Sequence, residues 1–193
     1  MMTQTEKQKL FEETKILTGF CAEDEANLIA LSPIMKQHGN RLAEFFYDRL
    51  NRLETTKAII EAKPGRSASL KVTLIAWFNN LFAGNYDLNY ATNMMRIGQV
   101  HVAAQVDQRY VLSMYGMVFQ FIISALESEF DGKVAEIEPL QNSVAKILSI
   151  DMAMMMESYF VELLDSTGWS MTLLKKMATV SVSKKLKTAD NGK

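Results

Sequence analysis

Cysteine, proline and glycine are all scarce in this chain of 193 residues. One cysteine, Cys21, excludes an internal disulfide and any site built from several thiolates. Three prolines and nine glycines are too few for a turn-rich β fold, and a hydrophobic content of 48% argues against a disordered chain. No uninterrupted apolar run approaches the roughly 20 residues that a membrane-spanning helix needs. The opening MMTQTEKQKL also lacks the basic-then-apolar order of a signal peptide, so a soluble, cytoplasmic protein is expected. The motifs of common catalytic sites are missing too: there is no P-loop, GxGxxG, HExxH, GxSxG or CxxC. Enzymes with unmarked sites remain open, and a non-enzyme is expected unless the chain is part of a longer signalling enzyme.

The charge is close to balanced overall but unevenly placed. Residues 1–165 hold 15 Lys+Arg against 21 Asp+Glu, whereas residues 166–193 hold 6 against 1. An acidic body argues against nucleic-acid binding, which draws on clustered Lys and Arg. The division suggests a folded domain over 1–165 and, over 166–193, a basic, mostly disordered tail or the start of a linker to an output module.

Within the body, apolar residues recur at helical spacing and the breakers fall between the periodic stretches, which predicts an all-α fold. A first helix is expected near 5–17 and a second over 23–31. Ser32-Pro33 reads as the N-cap and first position of a third helix carrying Leu42, Phe45, Leu50 and Leu53. A short helix near 54–62 ends at Lys63-Pro64-Gly65, and Leu70, Leu74, Trp77, Phe78 and Leu81 stripe the next. Further helices are expected over about 88–105, 108–130 with Asp107 as N-cap, and 134–165.

Two histidines are present, His38 and His101. Met94, Ile97, His101 and Ala104 recur at helical intervals, which puts the His101 ring on an apolar face. A buried imidazole needs either a hydrogen-bond partner or a metal, and the spacing alone leaves both open. His38, beside Lys36, Asn40 and Arg41, reads as a surface residue. Tyr47 is a polar tip among large apolar groups, and Thr73 sits mid-helix, where a hydroxyl usually bonds back to the preceding turn.

Together these segments resemble the globin domain of the globin-coupled sensors and protoglobins, the haem-binding input modules of bacterial aerotaxis transducers and diguanylate cyclases. The likeness rests on Phe46-Tyr47-Asp48, on Leu70-Lys71-x-Thr73-Leu74 followed by Trp77, Leu81-Phe82 and Ala83-Gly84, on Asn85-Tyr86-Asp87-x-x-Tyr90, and on Arg96-Ile97-Gly98-x-Val100-His101. Leu31-x-Pro33 also fits, and the likeness covers about residues 10–165. It implies a globin-like fold with an extra N-terminal helix and a haem b whose iron is held by His101. Tyr47 is then the distal hydroxyl that donates to a bound gas, and Thr73 a second distal group. Phe46, Leu70, Trp77 and Ile97 are implied as pocket wall. Past His101 the chain departs from the family's usual Arg-Ile-Gly-Leu-Pro run with Val102-Ala103-Ala104-Gln105-Val106-Asp107, and Tyr110 replaces the usual Trp.

The resemblance further implies a homodimer formed through the last two long helices, and a haem-based sensor of O2 or another diatomic gas, CO or NO. Its readout is a helix shift at the dimer interface, passed to a downstream protein or a fused output domain. Two other functions compete: a haem enzyme acting on bound O2 or NO, like a dioxygenase or peroxidase, and a haem-free signalling module on a globin scaffold. Met152, Met154, Met155 and Met156 cover more than one helix face and could meet a second subunit or fill core gaps. Asp151, within this apolar stretch, could pair across the interface or cap a local polar contact.

Overall fold

Short capping motifs set where the helices begin. Thr3 and Glu6 form a reciprocal box, with the Thr3 backbone N–H donating to the Glu6 carboxylate at 2.7 Å and the Glu6 N–H donating to Thr3 Oγ1 at 3.2 Å. Asp87 accepts from the backbone N–H groups of Asn89 and Tyr90, and Asp107 from that of Arg109. The computed structural model describes residues 2–190 and is all-helical over them. In chain order the helices are α1 (Gln4–Thr18), α2 (Ala22–Leu50), α3 (Glu54–Ile60), α4 (Arg66–Asn80), α5 (Leu88–Ala103), α6 (Gln108–Glu129), α7 (Val134–Thr167) and α8 (Met171–Asp190). α1 stops at Gly19, whose φ of 67° lies in the left-handed region that glycine adopts without strain.

The long helix α7 is the centre of the arrangement. It packs against α1, α2, α5 and α6, which is why its buried residues, from Ile137 through Val144, Ile147 and Ile150 to Val161, fall on more than one face. Phe11, Leu28, Phe78, Phe82, Met94, Ile122, Leu126 and Ile147 are fully buried in one continuous core. α4 rests mainly on α2 and α3, whereas α5 rests on α1 and α7. By length and composition α6 could cross a membrane, but here it is a packed helix lying against α2 and α7.

Four sequence expectations need correction or sharpening. α2 runs unbroken through Pro33, so 23–31 and the segment after it are one helix; Pro33 removes a single backbone donor, and the remaining ladder and buried face of Leu28, Leu31, Met35 and Leu42 hold the helix together. His38 is buried, 9% exposed, with its Nε2 3.1 Å from Glu129 Oε1 and its ring edge-on to Phe121. Its polar sequence neighbours point elsewhere because Met35, His38 and Leu42 share one face of the helix. The tail is helical as far as Asp190, with Leu173, Met177 and Val180 exposed; residues 191–193 of that expectation lie outside the described residues. Lys, Leu, Met and Ala in this segment favour helix locally, a tendency that composition-based reasoning about charge passes over. Finally, Met154 and Met155 are core residues, while Met152 and Met156 are half-buried.

Candidate functional site

His101 lies near the end of α5, and its position there depends on Gly98. A Cβ at Gly98 would fall 1.9 Å from Ser158 Oγ and 2.8 Å from the Met155 carbonyl oxygen of α7. Only glycine lets α5 approach α7 this closely. The crossing leaves His101 half-buried, with Nδ1 2.8 Å from the Ile97 carbonyl oxygen one turn earlier. A carbonyl can only accept, so Nδ1 carries the proton and donates. Burial holds the imidazole pKa below its ordinary value, and the ring is neutral at pH 7. Nε2 then carries the free lone pair and has no hydrogen-bond partner among the described residues.

Tyr47 of α2 is 7% exposed, and burial pushes its hydroxyl pKa up to about 12. The phenol is therefore a neutral donor across the physiological range. It makes no hydrogen bond to a described protein group; its ring packs edge-on against Phe46 at 5.3 Å. Phe46, Leu70, Trp77 and Ile97 are half-buried, and Phe46, Trp77 and Ile97 pack at the edge of the core.

Thr73 is placed differently. It is exposed, and its hydroxyl donates to the Leu70 carbonyl at 2.9 Å, the back-bond its mid-helix position predicts. No hydrogen bond or ring contact joins His101, Tyr47 and Thr73 to one another among the described residues. α4, α5 and α7 are linked by a residue whose partners the sequence left open. Asp151 of α7 is fully buried, and its carboxylate accepts from the Trp77 indole N–H of α4 at 2.7 Å and from the Tyr90 hydroxyl of α5 at 2.6 Å. Its pairing is thus within the chain. The one available signal was a lone acid amid Ile150, Met152 and Met154, since a carboxylate among large apolar groups must find donors.

The donor set has a definite chemistry. Among the described residues no three His, Cys, Asp or Glu side chains converge to hold a bare metal ion. A single neutral imidazole with a fixed tautomer suits a metal whose other ligands come with it, as in a metalloporphyrin. Half-buried aromatic and aliphatic side chains suit the porphyrin's faces. The residues present therefore fit a haem.

Comparison with known proteins agrees with this chemistry. The protoglobin family model matches residues 7–165. The chain is 25% identical over 154 residues to the heme-based aerotactic transducer HemAT of Halobacterium salinarum, an alignment covering 74% of this chain and 31% of the transducer. The chain thus spans about a third of that relative's length. Among solved structures, the globin domain of the Geobacter sulfurreducens globin-coupled sensor superposes with a TM-score of 0.72 at 33% identity, covering 77% of this chain and 96% of that domain. The all-α arrangement is accordingly a globin fold. With the family match running from within α1 to within the last turn of α7, the chain belongs to the protoglobin family, which includes the globin domains of globin-coupled sensors.

Proposed function

We propose that this domain is a haem-based gas sensor in which His101 holds the iron of haem b and Tyr47 is the distal donor. The observation that carries the reading is the His101 ring: its Nδ1–H is committed to Ile97, so Nε2 is fixed as the ligating atom. When bound, haem would supply an iron able to take a diatomic gas. The chain's own residues do the rest. Low basicity keeps His101 deprotonated at Nε2 near neutral pH, so protons compete weakly for the ligand site. The unpartnered hydroxyl of Tyr47 donates to a polar ligand, which favours O2 over CO or NO. One such bond is worth about 0.5–1.5 kcal/mol, or about three- to tenfold in affinity.

Phe46, Leu70, Trp77 and Ile97 form the apolar wall that excludes water. Thr73 acts as a second distal group only by releasing its O–H from Leu70. Leu112 of α6 and Phe160 and Leu163 of α7 remain exposed, and this apolar surface supports a homodimer built on α6 and α7 as the structure that receives the signal. The body is followed by the basic segment 166–193, through which a downstream partner or output module in the cytoplasm would be reached.

The test is spectroscopic. Protein reconstituted with haemin should show a Soret band, and His101→Ala should lose it or bind haemin far more weakly. Absence of a Soret band in the wild type rejects the sensor reading in favour of a haem-free module.

A further inference from the structure

Asp151 is one of the few charged side chains withdrawn completely from solvent, and a buried carboxylate persists only where donors satisfy it. Its donors come from two helices that are otherwise held by different neighbours. Trp77 belongs to α4, which rests on α2 and α3; Tyr90 belongs to α5, which rests on α1 and α7. Tyr115 of α6 closes the group, its ring edge-on to the Trp77 indole at 6.0 Å and its hydroxyl 3.9 Å from the Met155 sulfur, one turn beyond Asp151. Four helices therefore meet at one carboxylate.

Resting on the sensor reading above, we infer that Asp151 is the positioning residue that registers both walls of the ligand pocket on α7. One oxygen holds the helix of the distal wall through Trp77, and the other holds the helix that carries His101 through Tyr90. A ligand that displaces either helix changes one bond to the shared carboxylate, and the change is delivered to the middle of α7. Hydrogen bonds of this kind are directional and weaken steeply as the angle closes, so a small tilt of either helix is enough to reset the pair. Once the carboxyl is ionised these bonds are charge-assisted and roughly twice as strong as neutral ones, which makes the junction stiffer than the apolar contacts around it.

The first measurement needs no haem. In Trp169→Phe protein Trp77 is the sole tryptophan, so ultraviolet resonance Raman reads its indole N–H directly. Adding Tyr90→Phe removes the donor to the other carboxylate oxygen, on a different helix. The expected result is a shift of the indole N–H band, because the carboxyl group then has one competing donor fewer. An unchanged band overturns the shared clamp.

The second measurement follows amide exchange over residues 147–155 in haem-loaded protein with and without CO. Wild type should show a CO-dependent change in this stretch, and Asp151→Leu should lose it while keeping its Soret band. Asp151→Asn should retain it, because the amide oxygen can accept from Trp77 while its NH2 donates to the Tyr90 oxygen, which, unlike an indole N–H, can accept. Should Asp151→Leu fail to fold, the Trp77→Phe/Tyr90→Phe pair removes the same two bonds and should lose the response. A wild-type-like response in either, or no response in the wild type, overturns the inference. If the wild type takes up no haem, the sensor reading fails by its own Soret criterion while the indole band still decides the clamp.

Discussion

The two flanks of the candidate site are built in opposite ways. Where α5 crosses α7, the helices touch at Gly98 and Ser158, and the buried polar groups nearby are paired: Ser158 with the Met155 carbonyl, Asp151 with Trp77 and Tyr90. On the α2 and α4 flank, the largely buried Tyr47 has a hydroxyl that bonds no described protein group, and large apolar side chains stand half-buried. The first flank is a fixed support. The second has unused donor capacity and unfilled apolar surface, which is the expected condition of a wall that faces a ligand.

The comparison can be broken most severely at Gly98. Gly98→Ala drives a methyl into Ser158 Oγ and the Met155 carbonyl, and overpacking of this kind should lower stability by about 1–3 kcal/mol. Adding Ser158→Ala should recover part of the loss, since it removes the nearer of the two obstacles; chemical denaturation measures both. Full recovery, or no loss at all, would mean that the α5–α7 crossing is looser than the structure shows.

A second test uses pH. Burial raises the Asp151 carboxyl from its ordinary 3.8 to about 7, with the interactions of Tyr90, Trp77 and Tyr115 partly opposing the rise. The folded protein therefore keeps this proton in a range where the unfolded chain has released it. The contribution of this group to stability accordingly falls as pH rises from about 4 to about 7 and levels off above. Asp151→Asn cannot titrate. The difference in unfolding free energy between wild type and Asp151→Asn should therefore drift against the wild type across that window and become flat beyond it. A constant difference would show that the support flank does not hold the proton.

The smallest expected effect on stability lies on the open flank. Tyr47→Phe removes a hydroxyl that bonds no described protein group, so the unfolding free energy should move by no more than about 0.5 kcal/mol. In haem-loaded protein the same change should speed O2 release about three- to tenfold, with CO release altered less, as measured by stopped-flow displacement. A large stability loss with unchanged O2 release would place Tyr47 on the supporting side of the comparison instead.

Much of this was legible before any coordinates. Asp87 and Asp107 announced the starts of α5 and α6, because short polar side chains satisfy free N–H groups locally. The apolar spacing around His101 put its ring on an inward face, and Tyr47 was legible as a polar tip among large apolar groups. Pro33 misled, since a local breaker signal lost to the packing of the whole of α2. His38 misled for a related reason: adjacent residues in sequence point to different sides of a helix. The partners of Asp151 could not be read at all, because Trp77 lies 74 positions away and Tyr90 lies 61.

The sequence by itself therefore determined what depends on neighbours a few residues apart: helix content, most helix ends, the apolar faces, and the chemistry of an imidazole and a phenol set among hydrophobic groups. Tertiary structure alone decided which of the buried polar groups are spent and which are free. That distinction follows from where separate helices cross, as at Gly98 and Asp151, and a crossing is a property of distant segments brought together by packing, with no periodicity in the chain to announce it.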